Sequence, residues 1–361
     1  MYSIKEENMR RLADYQRQLW LNPKLTFLFF ELTDQCNLGC RHCGSSCSGG
    51  NHAYLPFETV KKVLKRVADR YNPRQIMVCL TGGEPLLHPR CADVVRLSSE
   101  LGFPVGITSN GTLIGDQTAS ALADAGLNTI SISVDGIGET HDQFRNSKGC
   151  FERAIAGIKA LQANGIEPQI MSVIHKQNLN QLEEMFSFFQ SLDVYSWRLT
   201  NVDPIGRARE ENELLLDGND LKRLYDFIQR ARMDGGGDME VTYGCSHFVT
   251  LAYERMIRDS YFQCGAGTQV ASITAQGEIV ACLDIERRAD LVQGTVWDDD
   301  FIDVWENKFQ TFRRDRTEDS DICRNCEKRG ICLGDATHTW DFDHKRPNYC
   351  VSKMMEDRNE L

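Results

Sequence analysis

Three cysteines, Cys36, Cys40 and Cys43, stand in a C-x3-C-x2-C spacing near the start of the chain. They follow an apolar run from Leu25 to Leu32 that reads as a buried strand, which puts all three on the loop leaving its C-terminal end. Three thiolates on so short a loop suit a cubane iron–sulfur cluster, for which Cys is the usual ligand. Only three irons are then held by protein, and the fourth is open to a substrate or cofactor. That makes the site chemical rather than merely electron-carrying. The competing reading is structural zinc, suggested by His42 between two of the cysteines, but such sites complete four ligands with a second Cys or His pair.

The elements that must position this loop repeat along the chain. Strands are expected at Leu25–Leu32, Gln75–Leu80, Pro104–Thr108, Thr129–Val134, Gln169–Ile174 and Ser196–Val202. Helices are expected between and after them at Phe57–Arg70, Arg90–Glu100, Asp116–Ala125, Cys150–Asn164, Asn180–Leu192 and Asp220–Met233. Such alternation points to a parallel βα sheet. In parallel βα barrels the chemistry gathers at the C-terminal ends of the strands, and the polar motifs fall there. Thr81–Pro85 follows the second strand, Ser109–Thr112 the third, Asp135-Gly136 the fourth and Pro204–Ala208 the sixth.

The cysteine spacing, the aromatic-rich strand before it and the stretch Thr81-Gly82-Gly83-Glu84-Pro85 together resemble the radical S-adenosylmethionine (SAM) superfamily. The resemblance implies an α/β fold, a partial (β/α)6 TIM-like barrel, and a [4Fe–4S] cluster whose open iron chelates SAM. Reduction then yields a 5′-deoxyadenosyl radical that abstracts hydrogen from an unactivated carbon, with electrons from an external flavodoxin- or ferredoxin-type donor. Gly82 and Gly83 let backbone approach a ligand closely, and by resemblance their loop, with Glu84 as acceptor and Pro85, binds the methionine amino group. Ser133 and Arg145 match the S-x-D-G and H-D-x-x-R elements of related enzymes, where such groups hold the SAM carboxylate. Arg153 competes with Arg145 for that role. Ser109 and Asn110 serve the ribose or the substrate, or simply form a turn.

A second cysteine field follows Gly235, Gly236 and Gly237. Cys264, Gly277 and Cys282, then Cys323, Cys326, Cys332 and Cys350, resemble the SPASM extension of a subset of radical SAM enzymes, which builds auxiliary iron–sulfur clusters. Its Gly-x4-Cys is expected on a hairpin between Val270–Ile273 and Ile279–Ala281. The second cluster has a complete set in Cys323, Cys326, Cys332 and Cys350. The first departs from the family pattern, because the position expected to carry a further Cys is Ala336. That leaves Cys264, Cys282 and the upstream Cys245, with either Asp335 next door as a carboxylate or an open iron able to bind substrate. A zinc ribbon is the alternative for this field. Cys47, Cys79, Cys91 and Cys150 fall outside every pattern. The expected division is a helical extension over 1–24, the barrel over 25–235 and the auxiliary-cluster domain over 236–361.

Composition bounds the function. At 361 residues the chain exceeds one average domain, and 41 basic against 52 acidic residues, net −11, argue against nucleic-acid binding in bulk. No signal-like or membrane-spanning run occurs, so a cytoplasmic protein is expected, and its 14 cysteines are then better explained by metal than by disulfides. SPASM-bearing radical enzymes most often modify peptides or proteins, and the resemblance therefore implies a peptide maturase that crosslinks, epimerises or oxidises its substrate. The segment before the barrel is too short for a leader-binding domain, so a separate protein delivers the peptide or the barrel mouth takes it directly. The alternative is a tetrapyrrole- or other small-molecule-modifying radical enzyme, since these share the extension and the Pro204–Ala208 stretch, although the acidic chain weighs against a large acidic substrate. A non-catalytic iron–sulfur or zinc protein is a third reading, against which the amino-acid clamp at Glu84 speaks.

Overall fold

The computed structural model describes residues 3–47, 52–233, 239–244 and 247–356. The glycines at 235–237 and the candidate ligand Cys245 lie outside the described residues. Six expected strands form within a residue or two of their expected ends: β1 (Phe27–Glu31), β2 (Met77–Thr81), β3 (Val105–Ser109), β4 (Thr129–Ser133), β5 (Pro168–Ile174) and β6 (Ser196–Asn201). Each pairs in parallel with the next. A seventh strand, β7 (Glu240–Tyr243), pairs in parallel with β6. It was not expected, because four residues are too few for alternation to declare a strand.

The expected hairpin is present as β8 (Val270–Ile273) and β9 (Glu278–Val280), with β10 (Gly294–Thr295) beside it. Here the two cysteine fields meet. β8 pairs in parallel with β1, so one ten-stranded sheet runs in the order β10-β9-β8-β1-β2-β3-β4-β5-β6-β7.

Helices cover the outer face because their apolar residues recur at helical spacing. In α2 (Phe57–Arg70) the buried Val60, Val63, Leu64 and Val67 make one stripe. On β6 the alternation splits the two faces, with Trp197 and Leu199 buried under the helices while Arg198 and Thr200 line the concave side. The N-terminal helix α1 (Ile4–Leu21) packs on the far end of the chain, where Met9 meets Phe248, Phe262, Ile331 and Ala336. Gln16 of α1 donates to the Cys264 carbonyl at 3.0 Å.

Trp197 is wholly buried, edge-on to Phe189 and Phe227, with its indole N–H on Ser172 Oγ at 2.9 Å. Trp197→Ala is expected to cost about 3–5 kcal/mol through the cavity it leaves. Urea unfolding followed by far-UV circular dichroism measures that loss.

Candidate active site and cluster cradles

The cysteine loop is held from two sides by backbone that only glycine permits. Gly83 N–H donates to the Thr33 carbonyl and Glu84 N–H to the Gln35 carbonyl, both at 2.8 Å. A Cβ on Gly83 would sit 2.2 Å from the Gln35 oxygen, so no side chain fits there. From β6, Gly206 has φ +51° and its Cβ would fall 2.2 Å from the Cys43 oxygen. Arg207 N–H reaches that same oxygen at 3.1 Å, and its Nε donates to the Cys40 carbonyl at 2.7 Å. Arg207 is therefore a positioning residue for the loop. Its only sequence signal was the Pro204–Ala208 stretch.

The H-D-x-x-R element divides its labour residue by residue over α5 (Glu139–Phe144) and the residue after it. His141 Nδ1 accepts the Asp135 N–H at 2.9 Å. Asp142 accepts from Gly149 N and Phe151 N at the start of α6 (Cys150–Ala163). Arg145 Nε meets the Asp135 carboxylate at 2.5 Å, while its NH1 lies 3.6 Å from Cys40 Sγ. Burial would raise the Asp135 carboxyl, but the Arg145 charge beside it prevails and holds it at about 2. His42, which had suggested zinc, is instead stacked on Phe144 with ring centroids 4.2 Å apart, and burial drives it down to about 3.

These elements enclose a cavity of about 450 Å³. Cys36, Cys40, Cys43, Gly82, Gly83, Glu84, Ser109, Asn110, Ser133 and Arg145 all line it. Glu84 is buried and accepts from Ser109 Oγ and Asn110 N, each at 2.8 Å, and from Leu86 N at 3.2 Å. A carboxylate offers about four lone-pair sites, so one acceptor position remains for a ligand. Pro85 is buried, starting the turn behind Glu84. Arg153 does not join the group: it lies on α6 and donates to Lys148 O and Ser147 Oγ. Of the two arginines, only Arg145 faces the cysteines.

The donor set fits the cluster the spacing called for. Burial pushes Cys36 up to about 11, with the neighbouring thiols Cys40 and Cys43 adding to the rise. Cys43 is drawn down to about 5, first by a hydrogen bond from the Cys47 thiol and, against burial, by Arg207. Mutual repulsion of closely set thiolates is the condition that a bound metal core relieves. When bound, the cluster supplies the electron that cleaves SAM reductively. The chain itself supplies the rigid loop, the Glu84 acceptor and the Arg145 cation beside them.

In the C-terminal region Cys323, Cys326, Cys332 and Cys350 line one cavity of about 340 Å³, as a four-thiolate cradle requires. The first auxiliary position differs. Ala336 is buried in the apolar cluster with Met9 and Phe248, and Cys264 Sγ lies 3.1 Å from Thr337 Oγ1. The Asp335 carboxylate is committed elsewhere, accepting Phe248 N at 2.7 Å and facing His247 Nδ1 at 3.2 Å. It nonetheless lines the cavity that holds Cys323, Cys326, Cys332 and Cys350, and a second one with Cys264. Cys282 follows the hairpin, with Asp284 Oδ2 at 4.0 Å from its sulfur. Cys79 lies on β2, where burial raises its thiol to about 12.

Comparison with known proteins agrees with this geometry. Residues 30–189 match the radical SAM superfamily, and residues 264–327 match the SPASM iron–sulfur cluster-binding domain. The AdoMet-dependent heme synthase of Methanosarcina barkeri is 28% identical over 353 residues, 91% of this chain and 96% of that one. The PqqA peptide cyclase of Gluconobacter oxydans is 25% identical over 307 residues, 84% of this chain and 82% of that one. In structure, Streptococcus suis SuiB bound to S-adenosylmethionine superposes with a TM-score of 0.74 at 19% identity, covering 96% of this chain and 81% of that one. A partial barrel with a SAM-binding iron–sulfur loop defines the class, a radical SAM enzyme. More narrowly, the chain belongs to the radical SAM proteins that carry a SPASM domain, with auxiliary iron–sulfur clusters beside the SAM cluster. Among the described residues no helix is long and apolar enough to cross a membrane.

Replacing Cys36, Cys40 and Cys43 together by Ala is expected to abolish 5′-deoxyadenosine formation and to remove one cubane of iron. Anaerobic reconstitution, iron and sulfide analysis and chromatography with dithionite as reductant check both. Asp135→Asn strands the buried Arg145 charge and is expected to cost about 3–5 kcal/mol. The depressed Asp135 contributes its stability above the ordinary carboxylate range and loses it as pH falls through about 2. The acid limb of the parent's unfolding curve should therefore flatten in the variant.

Proposed function

We propose that this radical SAM enzyme abstracts hydrogen from a carboxylate-bearing tetrapyrrole, in the manner implied by the name of the heme synthase it resembles. The observation that carries this reading is Arg198. It sits at mid-strand on β6, lines the cavity, and has no hydrogen-bond or ion-pair partner among the described residues. The acids lining the same cavity are Glu84, which is occupied by Ser109 and Asn110, Asp203, which faces two histidines, and Asp284, which makes no ion pair with Arg198. An uncompensated guanidinium in a concave site recognises carboxylates in a fixed fork. Similarity along nearly the whole length of the heme synthase supports the same reading over the peptide substrate first expected from the SPASM domain. The Pro204–Ala208 stretch that clamps the cysteine loop is the feature shared with tetrapyrrole-modifying enzymes.

The test incubates the reconstituted holoenzyme with SAM, dithionite and an iron porphyrin carrying propionates, and follows 5′-deoxyadenosine together with the porphyrin mass. Substrate-dependent turnover with a changed porphyrin is expected. Arg198→Gln should raise KM about 10- to 100-fold with kcat little changed, as loss of a charge-assisted contact made equally in ground and transition states. Turnover of a short cysteine-rich peptide with no change to any porphyrin would overturn the proposal in favour of peptide modification.

A further inference from the structure

Beside the cavity, three side chains from distant segments converge on one point. Asp203 follows β6, His247 follows β7, and His338 belongs to the C-terminal cysteine region. His247 Nε2 lies 2.8 Å from Asp203 Oδ1, and His338 Nε2 lies 2.9 Å from Asp203 Oδ2. One ligand atom from each of the three falls within 4.8 Å of the other two. Asp203 and His338 both line the main cavity, so the cluster sits in its wall.

The partners behind these side chains are what an ordinary buried ion pair does not need. His247 presents its other nitrogen, Nδ1, to Asp335 Oδ2 at 3.2 Å. This fixes the ring so that Nε2 faces Asp203 and His338. Asp203 Oδ1 also accepts from Asn201 Nδ2 at 2.9 Å, and Asn201 in turn accepts from the Tyr243 hydroxyl. A carboxylate behind a histidine and an amide behind a carboxylate are the outer contacts that orient metal ligands. Two imidazoles and one carboxylate with open positions form the donor set that takes a borderline divalent cation such as ferrous iron, cobalt or zinc.

We propose that Asp203, His247 and His338 form a mononuclear divalent-metal site, distinct from the iron–sulfur cradles, whose open positions face the substrate cavity. Asp335 and Asn201 are its positioning residues. An oxygen donor of the substrate completes the shell, so that the metal orients the substrate against the SAM side of the cavity. The site does not depend on the substrate being a tetrapyrrole.

The probe is cobalt(II), added anaerobically to the iron–sulfur-loaded full chain and followed by metal analysis and by cobalt K-edge absorption. Stoichiometric cobalt in a nitrogen and oxygen shell with imidazole outer scattering is expected. His338→Ala should lose that cobalt while keeping the parent's iron and acid-labile sulfide. Asp335→Asn retains all three ligands and should weaken cobalt binding about 10- to 100-fold. A sulfur-only cobalt shell, no uptake by the parent, or uptake unchanged in both variants would overturn the proposal. Should His338→Ala lose its clusters, the parent spectrum and the Asp335→Asn affinity still decide it.

Discussion

The structure depends on one constraint: the carbonyl oxygens of the cysteine loop must be reached at once by backbone from beyond the ends of two strands, β2 and β6. At Gln35 and Cys43 the approaching residues are Gly83 and Gly206, and a methyl group on either would overlap a carbonyl oxygen. Hydrogen bonds from Gly83, Glu84 and Arg207 then fix the loop at the distances of ordinary secondary structure. A loop of three thiolates repels itself and loses entropy when ordered. Clamping it through backbone leaves the cysteine side chains free to face the cavity. The same economy explains Glu84, whose carboxylate joins the end of β2 to Ser109 and Asn110 at the end of β3.

Much of this was legible in the sequence because it is local. Strand positions follow from short apolar runs, and Gly82, Gly83, Glu84, Ser109, Asn110 and Ser133 lie at or within a few positions of a strand end. Arg145 and Arg153 are separated by the helices that carry them, one at the inner end of α5 and one on the outer surface of α6, and spacing alone does not give that direction. The pairing of β8 with β1 was not legible, since a hairpin's own sequence fixes its partner strand but not the sheet it joins. Nor was the seat of α1 on the C-terminal cysteine region, a contact across nearly the whole chain. Asp335 was read as a neighbour of cysteines because it adjoins Ala336, and it does line their cavities, but its bonds to His247 and Phe248 come from a distant segment that adjacency does not reveal. The Asp203, His247 and His338 group had no signal, because its members are far apart in sequence and share no spacing rule.

The net charge of the whole chain and the charge of a cavity are separate quantities. An excess of acids across the chain was taken to weigh against an acidic substrate, but exposed charges are screened over about 10 Å at moderate salt. What a ligand meets in a cavity is the balance of the groups that line it. Here the acids are Asp203, which faces His247 and His338, Glu84, which is occupied by hydroxyl and backbone donors, and Asp284, and the arginines are Arg145, Arg198 and Arg207. Arg198 lines the same cavity with no hydrogen-bond or ion-pair partner for its side chain among the described residues. An acidic surface therefore does not exclude a carboxylate ligand, because only the groups lining the cavity act on it at close range, where low dielectric strengthens each charge.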